Sequence, residues 1–152
     1  MNLFTAIKIS AYGLSAERTR LNVASMNLAN ANVTKTIDGG PYRPRSVVFS
    51  AVPYSEIDPG EGKAPSMAGP SRGGDALQAV EVTGIVEDKN PFKEVYDPNN
   101  PDADSQGMVK LPNVNVMEQM VDIMTASRAY EANVTAINTA KSMALKTLDI
   151  GK

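Results

Sequence analysis

Asn100, Asp102 and Asp104 stand at alternating positions, the spacing with which oxygen ligands open a calcium-binding loop. Followed further, the pattern fails. Ser105 falls where such a loop needs glycine for its sharp turn, and Leu111 falls where a bidentate Glu closes the coordination sphere. Asp97 to Gly107 therefore reads as a solvated turn. Gly60-Glu61-Gly62-Lys63 has the glycine and lysine of a phosphate-cradling loop. However, Ala64 stands where a hydroxyl should reach magnesium, and the earlier glycine is missing. Asn32-Val33-Thr34 and Asn133-Val134-Thr135 match the glycosylation triplet, a pattern short enough to arise by chance, and the second lies within a helical pattern. Asp and Glu are scattered, and no spacing singles out a pair for acid-base work.

What is missing excludes more. The 152 residues contain no His and no Cys. That removes the usual general base near neutral pH, the commonest metal ligand, thiolate nucleophiles and disulfides. No catalytic residue, metal site or cofactor is expected. With 15 Lys+Arg against 17 Asp+Glu the net charge is -2, which gives no electrostatic footprint for nucleic acid. No cluster of Lys and Arg points to an anionic membrane surface. No apolar run approaches the ~18 residues of a membrane span. Ala29-Asn30-Ala31 imitates a signal-cleavage site, but Lys8, Glu17, Arg18 and Arg20 interrupt the apolar stretch such a signal needs, so no cleavable signal is expected.

With no chemistry to position, the elements themselves become the subject. All ten prolines lie between Pro41 and Pro112, and nine of the eleven glycines lie between Gly39 and Gly107. Proline breaks helix interiors, so both ends of the chain are free to be long helices and the middle is not. The expected fold is α+β: two long terminal α-helices paired as an antiparallel coiled-coil-like hairpin, with a small irregular β-rich insert between them. The expected divisions are residues 1–34, 35–112 (with a flexible loop over 53–75) and 113–152.

The C-terminal segment carries the strongest pattern. Val116, Met120, Ile123, Ser127, Tyr130, Val134, Ile137, Lys141, Ala144 and Leu148 follow an unbroken 4-3 spacing, a coiled-coil seam with Ser127 and Lys141 as its weak points. Asn115 with Glu118 gives a capping signal before it, and Gly151 a stop after it. In the N-terminal segment Ile7, Leu14, Leu21 and Leu28 recur every seven residues, with Leu3 beside them. Gly13 interrupts this pattern, either as a tolerated defect or as a close approach to a neighbouring backbone. The Asn27, Asn30 and Asn32 cluster ends the helix. Met117, Val121, Met124, Ala132, Ala136, Ala140 and Met143 form a second apolar stripe on the C-terminal helix. One partner helix cannot cover both stripes. Either the insert folds back over the second, or other copies or other proteins do. The polar insert favours assembly.

Within the insert, Val80, Val82 and Val86 alternate with Glu81, Thr83 and Glu87 in the manner of a half-buried strand. Arg45 to Val52 and Phe92 to Tyr96 are two further strand candidates, and Asp38-Gly39 is a possible hairpin turn. Pro53 to Asp75, rich in Pro, Gly and Ser, is expected to be extended or mobile.

The segment GLSAERTRLNVASMNLANANV, Gly13 to Val33, resembles the N-terminal signature of the flagellar axial proteins, the family of rod, hook and hook-associated subunits. Its most specific part is Asn27-Leu28-Ala29-Asn30-Ala31-Asn32. PYRPRSVVF, YDPNNPDADSQGMVKLPNVNV and the C-terminal PNVNVMEQMVDIMTASRAYEANVTAINTAKSMALKTLDIGK are similar to the proximal-rod members of that family. The resemblance implies a structural subunit that polymerises helically into the periplasmic drive shaft, transmits torque and encloses an export channel. It implies export through the flagellar type III apparatus without signal cleavage. Its partners would be copies of itself, other proximal and distal rod subunits, and the junction with the membrane-embedded MS ring. On that reading Leu3, Ile7, Leu14, Leu21 and Leu28, and Val116, Met120, Ile123, Tyr130, Val134, Ile137 and Leu148, are subunit-packing residues. The alternatives are another axial subunit of rod or hook type, or a free helical-hairpin adaptor.

Overall fold

A computed structural model describes residues 3–37, 39–53 and 77–151. Helix α1 runs Leu3–Ala29 and helix α2 runs Val116–Ile150, with 27 and 35 residues. At 1.5 Å per residue these span about 40 and 52 Å. Between them lie, among the described residues, four strands: β1 Arg45–Pro53, β2 Gln78–Glu87, β3 Phe92–Tyr96 and β4 Met108–Pro112. They form two separate antiparallel ribbons, β1 with β2 and β3 with β4.

The α+β plan of the sequence is the plan of the molecule. Asn115 caps α2 by accepting a hydrogen bond from the Met117 main-chain N–H at 3.2 Å, and Gly151 closes it by donating its N–H to the Thr147 carbonyl. At the end of α1 the Asn30 side chain donates to the Met26 carbonyl at 2.8 Å, which also accepts the Asn30 main-chain N–H at 3.1 Å. Gly39 and Gly40 adopt φ of 81° and 100° in a turn that leads from α1 toward β1, not in a hairpin between two strands as expected. Asp38 and the expected loop over 53–75, apart from Pro53 at the end of β1, lie outside the described residues.

The two helices run antiparallel. Arg20 contacts Asp122, Asn27 contacts Gln119, and Gly13 lies against Asn133, so the α2 number falls as the α1 number rises. This register brings Leu3 level with α2 residues in the low 140s, and the last turns of α2 project beyond α1. The contact line is made of small and polar residues. Ala126 is 0% exposed, and Ala16, Ala24 and Ala140 are buried with it. This corrects the expected seam. Ile123, Val134 and Ile137 are half-buried flanks of the line, while Val116, Met120, Tyr130 and Leu148 are exposed in the single chain. The reason is steric: small side chains let the two backbones approach, and large ones are displaced to the sides. Ala140 likewise belongs to the inter-helix line, not to the outer stripe.

The β1–β2 ribbon contains a bulge. Val48 pairs with Gly84 and Phe49 with Val82, leaving Thr83 as an extra residue in β2. Side chains alternate along a strand, so the bulge moves Val86 to the face opposite Val80 and Val82 and puts Ile85 in its place. The simple alternation read from the sequence is corrected accordingly. The ribbon packs on α1, with Val80 and Val82 beside Tyr12, Ala16 and Thr19. β4, unforeseen in the sequence, supplies Val109 and Pro112, the largest fully buried side chains.

Candidate assembly surface

The junction of α1, α2 and β1 is organised by one side chain. Asn27, 3% exposed, uses both ends of its amide. Its Nδ2 donates to the Arg45 carbonyl at 2.7 Å and to Gln119 Oε1 at 3.1 Å. Its Oδ1 accepts from the Arg45 main-chain N–H and from the Tyr42 hydroxyl, each at 3.0 Å. Burial pushes the Tyr42 phenol above its ordinary value, with the nearby Glu87 adding to the shift and Arg45 opposing it. About two α1 turns earlier, Arg20 donates to Asp122 at 2.6 Å and lies 3.9 Å from Glu17. Glu87 accepts from Arg43 at 3.4 Å and forms an ion pair with Arg45 at 3.5 Å, and Arg43 also sits over the Phe92 ring, joining the two ribbons. These links were not read from the sequence. Only the Arg20–Glu17 spacing of three left a signal in it.

The Asp97–Gly107 turn is held by its own side chains. Asp104 Oδ1 accepts the N–H groups of Gln106 and Met108 at 2.8 and 2.9 Å, which keeps its carboxyl below the ordinary range. Asp97 and Asn100 bind N–H groups two residues on in the same way. The Thr34 hydroxyl donates to Asp102 at 2.7 Å and ties the turn to the chain leaving α1. Oxygens that resembled ion ligands in the sequence are thus engaged by the loop's own N–H groups, at Asn100 and Asp104, and by Thr34, at Asp102.

The remaining sequence-singled residues are distributed around the helix pair. On α1, Leu3, Ile7, Leu14, Leu21 and Leu28 are all half-buried beside the contact line. Within the axial motif, Asn27 and Ala31 are buried, Leu28 and Asn30 half-buried, and Ala29 and Asn32 exposed. On α2, Met117, Val121, Met124, Ala136 and Met143 are exposed, Met117 at 70%. The β1–β2 ribbon lies on α1, so the described insert does not cover this stripe. At the projecting end, Leu145, Leu148 and Ile150 are exposed, Ile150 at 86%, with Phe4 also exposed at the start of α1. Among the described residues no Leu, Ile, Met or Phe is buried. Nor is any described helix long and apolar enough to cross a membrane.

Two family models match the chain: one described as flagella basal body rod protein over residues 7–35, the other as flagellar basal body rod FlgEFG protein C-terminal over residues 105–150. The chain is 43% identical to the flagellar basal-body rod protein FlgC of Borreliella burgdorferi, with 99% of this chain and 98% of that protein covered. It is 43% identical to FlgC of Salmonella typhimurium and 40% identical to FlgC of Bacillus subtilis, with both chains covered completely in each case.

Proposed function

The chain belongs to the FlgC family of flagellar basal-body rod proteins and is a structural subunit of that rod, and we propose that it builds the proximal part by burying both faces of α2 against neighbouring subunits. One observation supports this most directly. Among the described residues no Leu, Ile, Met, Phe or Tyr side chain is buried within the single chain, although α2 carries apolar residues along its length. Burying apolar area contributes roughly 25 cal/mol per Å², so a surface of this kind is stabilised by contact with further protein. Contacts that repeat without closing generate a helical filament.

On this reading Val116, Met120, Ile123, Tyr130, Val134, Ile137 and Leu148, together with the outer residues Met117, Val121, Met124, Ala136 and Met143, pack against copies of the chain and against other proximal and distal rod subunits, near the MS ring. Leu3, Ile7, Leu14, Leu21 and Leu28 support the same packing from α1. The assembled tube transmits torque through the periplasm and encloses the export channel. The chain reaches it through the flagellar type III apparatus without losing a signal peptide. Its work is mechanical, and no catalytic residue, metal or cofactor is assigned to it.

The test is complementation of a strain lacking this chain with Met124→Asp or Leu148→Asp, both at exposed positions where a charge leaves the single chain's own packing intact. Loss of swimming and of rods in isolated basal bodies, with wild-type helix content in the purified variants, is the expected result. Full motility in both variants would sink the assignment of α2 as the assembly face.

A further inference from the structure

Asn27 joins three separate segments, and its four bonds exhaust what a side-chain amide can make. Two of them close a ring with the N–H and C=O of Arg45, the exchange a neighbouring strand would offer that residue. A third reaches Gln119 in α2, and the fourth comes from Tyr42, three residues before β1. Among the described residues no hydrogen bond or ion pair runs directly from α2 to a strand, so Asn27 is the polar route between them. We propose that Asn27 is a positioning residue that makes the seating of α2 and the ordering of the start of β1 a single conformational step. When α2 leaves, the Asn27 Nδ2 loses Gln119 and its burial, and water competes for the ring with Arg45. When α2 seats, the amide is held in the one orientation that presents a donor and an acceptor to Arg45. The β1–β2 ribbon is thereby fixed on the helix pair only in chains whose α2 is docked.

Hydrogen exchange followed by NMR on the full chain tests this coupling. The Arg45 amide, the Asn27 side-chain protons and the Met120 to Ala126 amides of α2 are expected to share one opening equilibrium and one denaturant dependence. Gln119→Ala should speed exchange at Arg45 and Ser46 by about tenfold, the size of one lost hydrogen bond. Gln119→Glu, which keeps an acceptor oxygen for Asn27, should restore the slow rate. Unchanged exchange at Arg45 in Gln119→Ala would overturn the proposal, and so would equal acceleration in Gln119→Ala and Gln119→Glu. Should Gln119→Ala lose its helix content, the unsubstituted chain decides: independent openings of Arg45 and α2 would equally overturn it.

Discussion

Gly13 and Asn133 meet across the helix pair so closely that a Cβ on Gly13 would stand 3.0 Å from the side-chain nitrogen of Asn133 and 3.3 Å from its Cγ. Of the two readings the sequence left open, a tolerated defect or a close approach to a backbone, the contact is a close approach, but by a side chain on α2. The same contact places Asn133, the first residue of a glycosylation triplet, against α1.

Gly13→Ala sets two terms against each other. Alanine gains roughly 1 kcal/mol of helix propensity, while the methyl group forces Asn133 to move by a few tenths of an ångström. The expected net change in urea denaturation is under about 1 kcal/mol, whereas Gly13→Leu should destabilise by roughly 1–3 kcal/mol through overpacking. Combining Gly13→Ala with Asn133→Ala should release the propensity gain. A double-mutant cycle without coupling between these positions would contradict the contact.

Gly107 has φ of 77°, and a Cβ there would stand 3.0 Å from the Tyr96 ring. Gly107→Ala should destabilise by about 1–3 kcal/mol through backbone strain alone. The loss should appear first as faster amide exchange in β3 and β4, with the helices unaffected.

Arg20 and Asp122 are each about a third exposed. Their ion pair should be worth no more than about 1 kcal/mol. Asp122→Asn is expected to lower stability by that amount in 50 mM salt and by less in 1 M salt, where screening is nearly complete. A cost that does not change with salt would mean that packing, not charge, is what the substitution removes.

Two groups give stability a pH dependence of opposite sign. The folded Tyr42 phenol titrates above its ordinary value of 10.0, so its contribution is complete below about that pH and is lost as pH rises through the higher folded value. Tyr42→Phe should be less stable than the natural chain by about 1 kcal/mol near neutrality, a gap that closes in strong alkali. Asp104 titrates below its ordinary value of 3.8, so its contribution is present above that pH and is lost as pH falls through the lower folded value. The Gln106 and Met108 amide resonances should report this transition, and Asp104→Ala should abolish it.

Proline placement and the heptad spacings made both helices legible, because each depends on backbone rules that act over short distances. Asn115 and Gly151 were legible for the same reason. The inter-helix line was not, since periodicity finds apolar stripes and the two backbones meet through Ala16, Ala126, Ala140 and Gly13, where bulk is absent. The Thr83 bulge was hidden because it changes pairing without changing composition. β4 was hidden because Met108–Pro112 ends in proline, a residue that argues against a strand. Asn27 stood within a motif, yet its partners Arg45 and Gln119 lie 18 and 92 residues away, beyond any local signal.

The small residues that line the helix pair also set its thermal behaviour. Unfolding a lone copy brings little apolar surface into water, so its heat-capacity increment should fall below the ~12–15 cal/mol/K per residue of compact domains. Its denaturant slope should be shallow for the same reason. In the proposed assembly, where neighbours cover α2, both quantities should rise, and the melting temperature should become a function of subunit concentration. Calorimetry of the isolated chain would therefore describe a different substance from the one that turns inside the rod.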